Sequence, residues 1–314
     1  MTNPLQTLKQ AAKSWLRPAL TPAVRWAVRH APVEQIRRPL WAGLVVPFFQ
    51  YSQTNFVVTT VFGATMAGNT RDHIQRHIYY FGLWEPNLTS FLSSRLREGD
   101  VFIDVGANIG YFSLLASRLV GRTGEVRAIE ASPATYAKLL DNIGRNQATN
   151  IQAVNAAVSD RPGTVRIFRG EESNIGSTSI VSQHGRHFEC EIAADRLDAL
   201  LPEALRRRVR FVKIDVEGAE WLVIDGMRDL VKDGPDNLEI LVELQPTALA
   251  VHGKSVDDVV SLFAEFGFRP YRIENDYSVL NYMAPGAATR PVRMRSAITT
   301  QTDVVFSRID AEFL

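Results

Sequence analysis

The sequence of 314 residues predicts an α/β protein built on a parallel, doubly wound sheet. Short runs rich in Val, Ile and Phe alternate along the chain with segments whose apolar residues recur at helical spacing. The run at 101–105 leads into two glycines and then into such a helical segment. Polar residues end several predicted strands, where sheets of this class bind ligands: Asp104, Glu130, Asn155, Glu217 and Glu243.

Composition divides the chain into a basic N-terminal segment and a mildly acidic remainder. Residues 1–50 carry seven Lys or Arg against the single acid Glu34, a net charge of +6 in a chain of net charge +1. We expect residues 1–50 to form a helical appendage, 51–98 a β/α cap, and 99–314 the ligand-binding domain. With one cysteine, no visible signal peptide and no apolar run long enough to span a bilayer, we expect a cytoplasmic protein.

Three elements are predicted before the first glycine turn. The stretch at 55–66, NFVVTTVFGATM, is typical of a strand, and the residues Gly68 and Asn69 then indicate a turn. A short helix over residues 71–80 is expected to end near Gly82. A second helix begins at Pro86, where proline is favoured, with a buried face formed by Leu88, Phe91, Leu92 and Leu96.

The glycine turn itself predicts a binding site. Gly106 lets the backbone approach a ligand closely, and Gly110 lets the following helix, over residues 111–120, pack tightly on its strand. Free N–H groups at the start of that helix favour polar or anionic ligand groups.

The second strand ends at Glu130, and an acid there can bind both ribose hydroxyls of a nucleoside. Enzymes that use NAD and enzymes that use S-adenosylmethionine (SAM) share this geometry. Asp104 stands just before the turn, where its charge would oppose a pyrophosphate but suits a cationic sulfonium ligand that carries an ammonium group. The residues therefore favour SAM.

The alternation continues to the end of the chain. Ser132 and Pro133 begin a helix whose predicted apolar face is Tyr136, Leu139, Leu140 and Ile143. A β-rich insertion is expected at 164–168 and 188–193. Further strands are predicted at 151–154, 211–215, 238–244, 269–273 and 303–307, with helices that run to Met227 and over 256–266.

From about residue 81 to 244 the chain resembles the FkbM-type SAM-dependent methyltransferases. The motifs that carry the resemblance are GLWEP (82–86), GDVFIDVGANIGYFSLLA (99–116), AIEASP (128–133), NAAVSD (155–160), GSTS (176–179) and KIDVEGAE (213–220). The resemblance implies a class I methyltransferase fold over residues 99–314, with a seven-stranded sheet whose last strand runs antiparallel. It also implies SAM as methyl donor and a hydroxyl of a sugar, glycan, glycolipid or natural product as acceptor.

The resemblance also assigns residues to the cofactor. The methionine part of SAM would lie against Asp104, Gly106, Ala107, Asn108 and Gly110. Glu130 would bind the ribose, Asn155 and Ala156 would line the adenine, and Glu85 would fold over the cofactor near its amino group. Residues 1–50 do not belong to the shared pattern.

Catalysis is predicted at the end of the fourth core strand. Alternation puts Lys213, Asp215 and Glu217 on one side, with Glu217 at the tip and Glu243 ending the neighbouring strand. Glu217 and Glu243 could share a divalent cation, or one could remove the proton of the acceptor hydroxyl. Because no third carboxylate is evident beside Glu243, the sequence slightly favours a reaction without metal.

Several alternatives remain open at this point. Lys213 either neutralises the acidic cluster or forms a structural salt bridge, and His184 and His187 are either substrate contacts or solvated loop residues. A non-catalytic SAM-binding module and, less favoured, an NAD-dependent oxidoreductase are competing functions. The acidic body argues against nucleic acid as substrate. Residues 1–50 either pack on the body or contact the inner face of a membrane through basic residues and Trp15, Trp26 and Trp41.

Overall fold

The structure is a computed structural model that describes residues 23, 25–28, 39, 41–45, 53–170, 187–283 and 289–314. Several features discussed above lie outside these residues: most of the N-terminal helical pieces, Trp15, the GSTS motif and His184. The division of the chain at residues 50 and 98 stays a prediction.

Strands and helices alternate along the described chain. The strands are β1 (Asn55–Thr59), β2 (Thr65–Asn69), β3 (Val101–Val105), β4 (Glu125–Ile129), β5 (Ile151–Val154), β6 (Ala157–Val158), β7 (Gly163–Arg169), β8 (His187–Asp195), β9 (Val209–Ile214), β10 (Glu239–Leu244), β11 (Arg269–Ile273), β12 (Val292–Arg293) and β13 (Thr302–Ser307). The α-helices are α1 (His73–Phe81), α2 (Pro86–Arg95), α3 (Tyr111–Val120), α4 (Pro133–Arg145), α5 (Leu197–Leu200), α6 (Glu203–Arg206), α7 (Glu220–Asp225), α8 (Arg228–Asp233), α9 (Pro246–Val251), α10 (Val256–Glu265) and α11 (Val279–Met283).

The main sheet confirms the predicted fold class. Its strand order is β12-β11-β13-β10-β9-β3-β4-β5, and the five strands from β10 to β5 run parallel. β13 lies antiparallel between β10 and β11, as expected for the last strand. Seven of these strands are the predicted ones, and the eighth, β12, is a two-residue pairing at the edge of β11. The predicted insertion forms a separate sheet of β6, β8 and β7.

The central strands are buried on both faces. Every residue of β3 and β9 is buried, and one hydrophobic cluster covers each side of the sheet. Such strands read as continuous apolar runs because helices cover both faces. The charged residues that these two strands do carry, Asp104, Arg210 and Lys213, are buried, whereas Glu130 and Glu243 stand at the ends of the neighbouring strands β4 and β10.

The β structure predicted at 55–66 is present as the β1–β2 hairpin, but the turn predicted at Gly68 and Asn69 is wrong, because both residues pair within β2. The turn falls at residues 60–64, where Gly63 has a φ of 85° and the Ala64 N–H donates to Thr60 Oγ1 over 3.0 Å. Threonine hydroxyls that bond the nearby backbone favour such turns over an extended strand.

One predicted core position in α4 is also wrong. Leu140 is 45% exposed, whereas Asn142 is fully buried. Asn142 accepts a hydrogen bond from the Ala67 N–H over 2.8 Å and donates one to the Ile109 carbonyl over 2.9 Å. This side chain thus joins the hairpin, the glycine turn and α4, and its burial follows from those partners rather than from apolarity.

The described parts of the N-terminal segment contact the body. Val28 and Val45 are buried, and the Trp41 ring lies 5.2 Å from the Tyr80 ring. Trp26, in contrast, is 64% exposed. Among the described residues, none of the helices combines the length and apolarity needed to cross a membrane. Membrane contact through residues 1–50 stays a prediction.

The buried amide of Asn142 gives a test of the fold. We expect Asn142→Ala to lower the free energy of unfolding by about 2–4 kcal/mol, because it leaves a buried N–H and a buried carbonyl without partners. Asp141→Ala on the same helix removes a half-exposed ion pair with Arg145 and should cost less than about 1 kcal/mol. Urea unfolding of both variants measures the difference, and equal losses would contradict a bridging role for Asn142.

Candidate active site

A cavity of about 260 Å³ opens beyond the carboxyl ends of β3, β4, β9 and β10. This is the edge at which doubly wound sheets bind ligands. Its wall is apolar on the side of β4 and β6 and acidic on the side of β9 and β10. The acidic and polar lining residues include Glu85, Asn108, Glu130, Asp215, Glu217, Glu243, Tyr277 and Gln301.

The glycine turn after β3 is held by contacts within the protein. Gly106 has a φ of 81°, and a Cβ at this position would lie 1.8 Å from the carbonyl oxygen of Asp215. Gly106 lines the cavity. The space that a side chain at this position would fill is already taken by the backbone after β9, and not by a ligand. Gly110 has a φ of 91°, which favours glycine, and a Cβ there would lie 2.6 Å from Leu139 Cδ1 on α4, so its close packing is with α4 rather than with its own strand as expected.

The N–H groups of the turn are hydrogen bonded within the chain. The Asn108 N–H donates to Glu130 Oε2 over 2.9 Å, the Ile109 N–H donates to Asn108 Oδ1, and the Gly110 N–H donates to the Ala107 carbonyl. The turn therefore presents the carboxylate of Glu130 to the cavity rather than free donors for an anion.

Glu130 is fixed at the end of β4 by two backbone donors. Its second oxygen, Oε1, accepts the Ser132 N–H over 2.9 Å. Burial raises the pKa of Glu130 to about 7, and the hydrogen bonds from Ser132 and Asn108 partly oppose that rise. Each carboxylate oxygen keeps acceptor capacity for one more donor, such as a hydroxyl group.

Two predicted site residues lie beneath the cavity rather than in its wall. Asp104 is 1% exposed; its Oδ2 accepts from Ser113 Oγ over 2.6 Å, and its Oδ1 is buried without a hydrogen-bond partner among the described residues. The Nζ of Lys213, on β9, lies 2.9 Å from Asp215 Oδ2 and 5.1 Å from the Phe112 ring centre. Although burial disfavours its ammonium form, Asp215, Asp104 and Glu85 together raise the pKa of Lys213.

Three carboxylates converge at the other end of the cavity. Asp215, Glu217 and Glu243 each offer one oxygen, and these oxygens lie within 4.8 Å of one another. Glu217 has a φ of 51°, in the left-handed region that non-glycine residues rarely adopt. Burial, with the charges of Asp215 and Asp303, raises the pKa of Glu243. The expectation that no third carboxylate stands near Glu243 is therefore wrong, because Asp215 supplies it.

The segment after β11 that carries Tyr277 and Tyr282 covers Glu85. The hydroxyl of Tyr277 donates to Glu85 Oε1 over 3.1 Å, and the Glu85 N–H donates to the Tyr282 hydroxyl over 3.2 Å. Glu85 also has a positive φ, 42°, and burial with the charge of Asp303 raises its pKa. Glu85 is therefore held in the cavity wall from a distant part of the chain.

The structure brings together most but not all of the predicted site residues. Those that line the cavity are Glu85, Gly106, Asn108, Glu130, Ala156, Asp215, Glu217 and Glu243. Those placed outside its lining are Asp104, Ala107, Gly110, Asn155 and Lys213. The amide of Asn155 donates to the carbonyls of Glu130 and Ala131, so it positions the end of β4. His187, for which substrate contact and simple solvation were both open, begins β8 and is exposed.

Sequence reasoning missed His73, Tyr277 and Gln301 in this wall. His73 begins α1, and the other two follow β11 and precede β13. None of the three ends a parallel strand, so no local pattern marks them.

Comparison with known proteins identifies relatives of this chain. Residues 104–270 match the methyltransferase FkbM domain family. Methyltransferase 1 of Beauveria bassiana is 27% identical over 166 residues, and the match covers 47% of this chain and 65% of that protein. The 31-O-demethyl-FK506 methyltransferase FkbM of Streptomyces tacrolimicus is 29% identical over 201 residues, 55% of this chain and 74% of that protein.

Two further matches cover other kinds of protein. The hexuronic acid methyltransferase AglP of Haloferax volcanii is 28% identical over 148 residues, 47% of this chain and 58% of that protein. Among solved structures, SMU.1697c, a putative methyltransferase from Streptococcus mutans in complex with SAH, has a TM-score of 0.42. It is 10% identical, and the alignment covers 74% of this chain and 99% of that one.

Glu220, which begins α7 behind the acidic end of the cavity, is a buried acid with one unused oxygen. Its Oε1 accepts the Gly218 N–H over 2.7 Å, while Oε2 is buried without a hydrogen-bond partner among the described residues. Burial raises the pKa of Glu220 to about 7 from an ordinary value of 4.5. The folded state thus binds its proton more tightly than the unfolded state.

This difference predicts a pH dependence of stability. A raised carboxyl pKa contributes stability that is lost as pH rises from about 4.5 to 7, and Glu220→Gln removes that loss. The stability of the variant minus that of the wild type should therefore grow by about 2–3 kcal/mol from pH 4.5 to 7.5 and then level off. Urea unfolding across this range measures it, with Glu265→Gln as a control on an exposed helix position. A difference that does not change with pH would contradict the assignment.

Proposed function

Because this chain belongs to the FkbM methyltransferase family, we propose that it transfers the methyl group of SAM to a hydroxyl of a sugar, glycan, glycolipid or natural product. Membership confirms the predicted family and SAM as the cofactor. The observation that carries the proposal is that one cavity holds two different kinds of site, one at each end. Glu130 stands at a nucleoside-binding strand end, and three carboxylates converge at the opposite end.

The lining suits SAM in its chemistry. Glu130 keeps acceptor capacity for ribose hydroxyls, and the apolar wall of Ile129, Ala156 and Val158 suits an adenine ring. The carboxylates of Glu85 and Asp215 suit a molecule that carries a sulfonium and an ammonium group. SAM supplies a methyl group bound to a positively charged sulfur, which a nucleophile displaces in line.

The protein's own task is to position the acceptor and remove its proton. A hydroxyl is a weak nucleophile, so a carboxylate within reach of it accelerates transfer. Glu217 is the carboxylate best placed to accept this proton. It lines the cavity just beyond the carboxyl end of β9, and its left-handed backbone conformation holds it there. Lys213 acts from below as a positioning residue, because its ammonium holds Asp215 at 2.9 Å.

A divalent cation is the second way to activate the hydroxyl. The oxygens of Asp215, Glu217 and Glu243 form the all-oxygen set that Mg²⁺ or Mn²⁺ prefers, and they lie close enough to share one ion. A cation would also offset the repulsion that raises the pKa of Glu243.

The named relatives support an oxygen acceptor. One is named for a 31-O-demethyl substrate and another for hexuronic acid. The competing oxidoreductase is disfavoured because the N–H groups of Asn108, Ile109 and Gly110 are already hydrogen bonded within the chain and cannot receive a pyrophosphate. A non-catalytic module is disfavoured because it would not require three half-buried acids that converge in one cavity.

The cofactor half of the site is tested by Glu130→Ala. We expect SAM affinity to fall by about 1.5–3 kcal/mol, the scale of a lost hydrogen bond to a charged group. Glu125→Ala, at the opposite end of the same strand, is the matched control and should bind SAM like the wild type. Titration calorimetry measures both, and unchanged affinity in Glu130→Ala would remove Glu130 from the ribose site.

The chemical half is tested by Glu217→Gln, which keeps the shape and removes the charge. SAM binding should survive, while turnover should fall about 100-fold, the range for a lost general base. Glu203→Gln, with an exposed side chain, is the control. Release of S-adenosylhomocysteine measures turnover. Inhibition of the wild type by a chelator, reversed by Mg²⁺ or Mn²⁺, would favour the metal version, and full activity in Glu217→Gln would exclude both.

A further inference from the structure

A second cavity, of about 580 Å³, adjoins the first on the side of β10, β11 and β13. The two cavities share Glu243, Tyr277 and Gln301 as lining residues. Because Glu243 belongs to the convergent carboxylates, a molecule in the second cavity lies next to the place where the proposed reaction occurs. The rest of its wall comes from the end of β11 and the residues that follow it, and from the start of β13 and the residues that precede it.

The wall of this second cavity is rich in hydrogen-bond acceptors. Its carboxylates are Glu243, Glu274, Asp276 and Asp303, and its uncharged polar residues are Asn275, Thr300, Gln301 and Thr302. Asn275 donates to Asp303 Oδ2 over 2.6 Å, while its own Oδ1 is buried without a hydrogen-bond partner among the described residues. Such a wall suits a ligand that brings many donors, as the hydroxyls of a polyol do.

Positive charge in this wall is scarce. Among the described lining residues the one cation is Arg272, and its guanidinium forms an ion pair with Glu274. Two of the carboxylates are neighbours on adjacent strands, since Glu243 lies opposite Asp303 in the antiparallel pair of β10 and β13. A carboxylate or phosphate on the bound ring would therefore meet several carboxyl groups and find no unpaired cation among the described lining residues.

Tyr277 adds an apolar surface to the polar wall. It is 40% exposed, and its ring centre lies 5.5 Å from that of Trp84 at an angle of 34°. An aromatic face beside hydrogen-bond acceptors suits the C–H face of a sugar ring together with its hydroxyl edge.

We propose that this second cavity is the acceptor site, and that it selects an uncharged or cationic polyol, such as a neutral or amino sugar, over a ring that carries carboxylate or phosphate. The proposal rests on the proposed function, since it names the acceptor class of that reaction. It sets this chain apart from its relative named for hexuronic acid.

The acceptor is tested by radiolabelling it in a mixture, so its identity need not be known in advance. The full-length protein and SAM with a tritiated methyl group are incubated with a polar glycan and glycolipid extract of cells in which the gene is deleted, so that the acceptor hydroxyls are still unmethylated. Labelled material is hydrolysed in acid, which leaves methyl ethers intact, and is passed over an anion exchanger at neutral pH. We expect at least about tenfold more label in the unretained fraction than in the retained one.

Two variants tie the label to the cavity. Thr300→Trp fills the second cavity from an exposed loop position and should lower labelling at least about tenfold, with SAM affinity unchanged in calorimetry. Thr149→Trp, at an exposed turn at the opposite edge of the sheet, should label like the wild type.

The outcomes separate the two proposals. Label that is mainly retained by the exchanger would overturn the charge selectivity and leave the methyltransferase proposal standing. Full labelling by Thr300→Trp would overturn the assignment of the cavity. No label from a protein that binds SAM would overturn the proposed function itself, and the acceptor site with it.

Discussion

The buried ammonium of Lys213 is the interaction on which the acidic end of the site depends. It lies 3% exposed on the central strand β9, with Asp215 at 2.9 Å and the charges of Asp104 and Glu85 nearby. A charge at this depth is stable only with partners of opposite sign, and carboxylates packed together need a cation for the same reason. Because β9 is hydrogen bonded on both sides, the backbone that carries Lys213 is fixed, and the carboxylates are arranged around its buried ammonium.

Much of this arrangement is predictable because the central strands carry strong local signals. The strands at 151–154 and 269–273 have the predicted bounds, and the apolar spacing of residues 111–120 predicts the helix that forms there. Glu130, Glu217 and Glu243 can be recognised from sequence because a parallel sheet places every strand end at one edge. Where the fold class fixes the position of a site residue, the sequence is sufficient to identify that residue.

The remainder depends on contacts between distant parts of the chain. Alternation places Asp215 on the correct side of its strand, but its approach to Glu243 follows from the pairing of β9 with β10. Tyr277 and Asp303 reach the cavities through loops and antiparallel pairing, which leave no periodic pattern. Leu140 is exposed and Asn142 is buried, because hydrogen-bond partners, and not hydrophobicity alone, decide which side chain faces the core.

The antiparallel direction of β13 has an evolutionary consequence. It returns the start of a late strand to the edge where the parallel strands end, so Asp303 comes to lie opposite Glu243. The glycine turn and Glu130 come from an early part of the chain, whereas most of the second cavity comes from residues 272–303. Under the proposed assignment of the second cavity to the acceptor, mutation or recombination in that late segment would change the acceptor without disturbing the residues proposed to hold the methyl donor. A family built in this way can diversify its substrates while its cofactor chemistry stays the same.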